Sequence, residues 1–82
     1  MSEDKENAYH IYCLTFVYRQ KTYSIRFEST VLLMRNDSAQ IIWDIVGEYI
    51  TKYLKQIHVM KKGIFPHSLE IQSESDVFKV IE

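Results

Sequence analysis

Few residues of this 82-residue chain have the type and spacing to do chemistry. His10, His58 and His67 are its three histidines. No two stand four apart, the spacing that puts two imidazoles on one helix face. No cysteine or carboxylate joins them in a ligand pattern. Scattered surface histidines are expected, with no metal and no cofactor. Cys13 beside a histidine would make a nucleophile pair. It falls in the middle of a strand-like run, away from the helix N-termini and cations that favour a thiolate. A packing or interface role is the expectation. Asp44 and Glu48 stand one helical turn apart and could share acid–base work if buried. Their polar neighbours are Thr51, Lys52 and Lys55, and Glu48 with Lys52 makes a favourable i, i+4 pair. That describes a solvated helix face. The two glycines, Gly47 and Gly63, cannot make a phosphate-cradling loop. No enzyme is expected.

Binding chemistry is better represented. Trp43 stands one turn before Gly47, which sets a bulky ring beside a bare stretch of helix backbone. Glycine in a helix interior costs about 1 kcal/mol against alanine, and tryptophan is a frequent interface anchor. The competing reading is that Trp43 closes the flank of the core and Gly47 makes room for a strand. Ile11, Cys13 and Val17 fall on the strand face away from the helix, and an apolar patch there would mark a contact. The tentative partner-binding set is therefore Trp43, Asp44, Gly47, Glu48, Ile11, Cys13 and Val17. A nucleic-acid alternative uses Arg35, Lys52, Lys55, Lys61 and Lys62, with aromatic residues nearby for stacking.

Composition limits these readings. The net charge of −1 argues against a dedicated nucleic-acid binder. With 46% hydrophobic residues, the chain is rich enough in apolar side chains to fold. Its single cysteine excludes an internal disulfide. The charged N-terminus lacks an apolar signal region, and no stretch approaches a membrane span of ~20 apolar residues. A soluble cytoplasmic protein is expected, in no contact with membrane.

The elements that must position these residues are legible as pattern. Residues 1–7 read as a flexible polar tail and 8–82 as a single domain. Residues 8–18 and 23–33 read as two strands of a hairpin, with Tyr18 opposite Tyr23 across a four-residue type I loop. A helix is expected from Asp37 to about Met60, capped by Asp37 with Gln40 and stopped at Gly63. Its apolar residues form two rows, Ile41, Ile45, Tyr49, Tyr53, Ile57 and Ile42, Val46, Ile50, Leu54. Residues 67–73 and 77–81 read as strands around a turn at 73–76. One continuous last strand is the alternative. The expected fold is α+β: a two-layer ββαββ or ββαβ arrangement, an antiparallel sheet with one long amphipathic helix packed on one face.

The expected core is Tyr12, Leu14, Phe16, Ile25, Phe27, Val31, Ile42, Val46, Tyr49, Ile50, Tyr53, Leu54, Ile71 and Phe78. On size alone, the function expected is stoichiometric binding of a protein partner. An inhibitor or regulator of phage or mobile-element anti-defence type, or an antitoxin, works on this scale. Homo-oligomerisation through the outer sheet face or a sheet edge is a further possibility. A small nucleic-acid-binding regulator is the alternative.

Overall fold

The computed structural model describes residues 9–80; the expected tail at residues 1–7 lies outside them. The elements follow one another as β1 (His10–Tyr18), β2 (Lys21–Ser29), α1 (Ala39–Gln56), β3 (His67–Gln72) and β4 (Val77–Lys79). The four strands form one sheet in the order β2-β1-β3-β4, with every neighbouring pair antiparallel. β2 and β3 both oppose β1, so they run parallel to each other on either side of it. Parallel strands need a long crossover connection, and the helix provides it. The final segment is a hairpin, Gln72 opposite Val77, closed by the Ser73–Asp76 turn.

The first hairpin has the expected faces but not the expected register. Tyr18 opposes Lys21, so the loop is only Arg19-Gln20, with φ of 52° and 67°. Two successive left-handed residues make a type I′ turn without its usual Asn-Gly signal. Tyr12 opposes Phe27, Leu14 opposes Ile25 and Phe16 opposes Tyr23. The expected register differs from this by two residues. Side chains alternate with period two, so both registers bury the same residues. Hydrophobic pattern fixes the parity, and the twist match of the tight turn selects the register.

β2 also ends earlier than expected. Ser29 Oγ accepts from the Val31 amide at 3.0 Å, which turns the chain away. Val31 is therefore exposed and Leu33 is buried in its place.

The helix is shorter than its pattern suggested, roughly 27 Å for 18 residues. Ser38 is the N-cap, its Oγ accepting from Ile41 N at 3.2 Å. Asp37 does not cap the helix: its carboxylate accepts from Met34 N at 2.9 Å in the preceding turn. The C-terminal stop is His58 (φ 62°), not Gly63. His58 N donates to Lys55 O and Val59 N to Leu54 O, both at 3.1 Å, which is the Schellman pattern. The apolar periodicity runs past this point because Val59 and Met60 pack on the core from the connection rather than from the helix.

Ile42, Val46, Ile50 and Leu54 are all buried and lie over Leu14, Phe16, Leu69 and Ile71 in one core. The row one residue earlier lies about 100° round the helix and reaches only the margin of the sheet. Tyr49, expected in the core, is 41% exposed. Its ring meets Phe27 edge-on at 4.9 Å, and its hydroxyl donates to Arg26 O at 2.7 Å.

Two buried tyrosines at opposite ends of β1 hold the connections on either side of the helix. Tyr12 OH accepts from Leu33 N at 2.9 Å and donates to Val31 O at 3.4 Å. Tyr18 OH accepts from Lys61 N at 2.6 Å and donates to Lys61 O at 3.3 Å. Each satisfies backbone groups that would otherwise be left without partners where the chain leaves regular structure.

Candidate functional site

Helical spacing places Trp43, Gly47 and Thr51 in one row, with Asp44 and Glu48 in the next. This flank of α1 meets the incoming connection to β3, where the buried Pro66 fixes the path and Phe65 stands 69% exposed. The result is a groove of about 330 Å³ lined by Trp43, Asp44, Gly47, Glu48, Thr51, Phe65 and Pro66. Four of its residues are the expected contact set on the helix. Phe65 and Pro66 were not expected, because sequence pattern does not say which helix flank a loop will pass.

Gly47 is the floor of this groove. A Cβ built there would meet only Trp43 Cε3, at 3.5 Å, which is ordinary van der Waals contact. Among the described residues no strand approaches it, so glycine is not there to make room for one. Trp43 does pack on the edge of the core. Its indole N–H is buried and has no acceptor within the described residues, an arrangement that typically costs about 1–3 kcal/mol. Asp44 and Glu48 are exposed on the groove's rim. Neither forms an ion pair among the described residues, so the expected Glu48–Lys52 pair is not closed. A second depression, lined by Asp44, Ile45, Glu48, Tyr49 and Lys52, lies on the other side of these carboxylates. The two acids thus stand on a ridge between aromatic side chains.

The outer sheet face is a different kind of surface. Ile11 and Cys13 are exposed and help line a broad depression of about 600 Å³ with Ser24, Arg26, Gln72 and Glu74. Val17 is half-buried and lies outside it. Across the strands, Cys13 is flanked by Arg26 and Gln72, Thr15 by Ser24 and Glu70, and Val17 by Thr22 and His67. Arg26 is paired with Glu28 at 3.0 Å. The apolar column is one residue wide between polar rows, the ordinary condition of the solvent side of an antiparallel sheet. This depression is larger and more apolar than the helix-flank groove, but none of the described residues lining it is a tryptophan or phenylalanine.

The basic residues of the alternative reading are dispersed. Lys55 is in the last turn of α1, and Lys61 and Lys62 follow it. Arg35 precedes α1, at its opposite end. It clasps the β3–β4 turn, Nε to Asp76 Oδ2 at 3.2 Å and Nη2 to Asp76 Oδ1 at 2.5 Å and Val77 O at 3.1 Å. The hydrogen bond from Arg35 holds the Asp76 carboxyl below its ordinary range, and Asp76 in turn raises Arg35. Arg35 is therefore a structural clasp, separate from the lysines.

Among the described residues, no group of three His, Cys, Asp or Glu is placed to hold a metal ion, and no helix is long and apolar enough to cross a membrane. What the fold and groove define is a small two-layer α+β protein with an aromatic, acid-rimmed flank. Comparison with protein-family models, curated proteins and solved structures finds no match to the chain.

Proposed function

We propose that this is a small non-enzymatic binding protein that acts by stoichiometric contact with a protein partner through the Trp43–Gly47 groove. The observation that carries this reading is Gly47. It sits in a helix interior, where glycine costs about 1 kcal/mol against alanine. No packing contact among the described residues requires it, because outside its own helix backbone a Cβ there meets only the edge of Trp43. What glycine preserves is the open floor between Trp43 and Phe65. A stability sacrifice without a packing reason is the mark of a surface shaped for something else. The finer assignment, to inhibitors, regulators or antitoxins of phage or mobile-element type working in the cytoplasm, belongs to the same proposal and rests on the small size of the described domain.

The test is co-purification from the native host, with the mass of the complex giving its stoichiometry. Wild type should hold one partner at fixed stoichiometry. Trp43→Ala should weaken it by removing the anchor, and Gly47→Leu by filling the groove. Retention of the same partner at unchanged affinity by both variants would show that the groove is not the contact.

A nucleic-acid-binding regulator is the second reading. Its support is that Lys52, Lys55, Lys61 and Lys62 are exposed and form no ion pair among the described residues. It requires binding that weakens steeply with salt, so a low-salt gel shift without DNA or RNA binding removes it.

A further inference from the structure

We infer that the groove's occupant is an arginine side chain carried on an extended segment of the partner protein. This rests on the groove being the docking site and adds the chemistry of what docks. Among the described residues, the only charged ones in the groove wall are Asp44 and Glu48. Both are exposed, and neither has a cationic partner among the described residues. Lys52 stands beyond the two carboxylates, in the neighbouring depression, and forms no ion pair with either. Within the groove the charge of the described residues is of one sign, which repels anions and draws a cation.

The geometry then discriminates among cations. Residues at i and i+4 place their Cβ atoms about 5–6 Å apart. Two carboxylates at that separation suit a guanidinium, whose five donors radiate in one plane. The same planar group stacks on aromatic faces, tryptophan best of all. Trp43 supplies one such ring, and the 69% exposed Phe65 a second. Gly47 leaves the floor low enough for the aliphatic stem to lie against helix backbone. The volume of about 330 Å³ accommodates one long side chain and part of the chain that bears it, not a folded element. The Trp43 N–H is buried without an acceptor among the described residues, and its ring lines the groove. Docking should therefore alter the environment of the indole.

Trp43 is the chain's one tryptophan, so its fluorescence reports this groove alone. The probe is the peptide acetyl-(Gly-Arg)3-amide, titrated into the full chain, with the citrulline counterpart as neutral isostere. The arginine peptide should give a saturable change in Trp43 emission. Asp44→Asn/Glu48→Gln should weaken it about tenfold, through loss of the charge-assisted bonds. Raising salt from about 50 to 300 mM should weaken it several-fold. Circular dichroism should show the double variant folded, since both positions are exposed.

Equal titration by the citrulline peptide overturns the inference. So does equal binding of the arginine peptide by the double variant, or no emission change up to about 5 mM peptide. The two levels remain separable with the native partner. If its capture depends on Trp43 and Gly47 but not on the two carboxylates, the groove stands as docking site and the arginine occupant is rejected.

Discussion

Replacing Gly47 with alanine should stabilise this protein, and the sign of that change bears directly on its function. The gain comes from the unfolded chain and the helix backbone: alanine is favoured over glycine in a helix interior by about 0.8–1.0 kcal/mol. The native structure adds no penalty. The new methyl would lie 3.5 Å from Trp43 Cε3 and meet no other described group outside its own helix backbone. Contact with the ring adds a fraction of the ~0.8 kcal/mol worth of a fully buried methylene, because the groove side stays open. The expected gain is about 1 kcal/mol, which for a domain of this size raises the thermal midpoint by roughly 4–8 °C.

Gly63 is the internal control. A Cβ there meets nothing within 4 Å, but its φ is +81°, so Gly63→Ala should destabilise by about 1 kcal/mol. Thermal and urea unfolding followed by circular dichroism measures both. The same substitution should have opposite signs at the two sites. A neutral or destabilising Gly47→Ala would mean that the fold itself needs glycine there. The argument that Gly47 is kept for docking would then lose its support.

Three further outcomes follow from the fold. Tyr12→Phe leaves the Leu33 N–H without its 2.9 Å acceptor in a buried site and should cost about 1–3 kcal/mol. Tyr18→Phe should cost less, because its bond to Lys61 N is only part-buried and water can replace it; equal losses in urea unfolding would refute that distinction. Changing Arg19-Gln20 to Asn-Gly relieves two left-handed residues and should stabilise by about 1–2 kcal/mol. An unchanged or lower midpoint would count against the type I′ turn.

Asp76→Asn should destabilise at neutral pH and not at strongly acid pH. The Asp76 carboxyl is depressed in the folded protein by its hydrogen bond from Arg35. A depressed carboxyl contributes stability above its unfolded value of 3.8, and that contribution fades as pH falls through the lower folded value. The stabilities of wild type and variant should therefore begin to approach each other near pH 3.8 and converge once pH falls below the lower folded value. A gap that persists at lower pH would place the effect outside the ion pair.

Side-chain periodicity determined which residues of β1, β2 and one helix row face inward, though not the fate of Val31 or Tyr49, which are exposed. Alternation assigned Tyr12, Leu14, Phe16, Ile25 and Phe27 to one sheet face, and the step of four put Ile42, Val46, Ile50 and Leu54 on one helix face. It also brought Trp43, Asp44, Gly47 and Glu48 to one flank, since neighbours within a helix are set by local geometry. Everything that depends on distant partners was decided by tertiary structure. The hairpin register could shift by two without moving a side chain to the wrong face, so turn geometry chose it. The helix ends at His58 because a Schellman turn forms there, while the apolar pattern runs on into residues that pack from a loop.

Asp76 lies 41 positions from Arg35 and has no local signal pairing the two. Phe65 completes the groove only because Tyr18 pins Lys61 and the buried Pro66 directs the return to β3. A periodic pattern encodes the direction a residue faces. It does not encode which loop the chain will later bring alongside, and this groove is built at such a meeting.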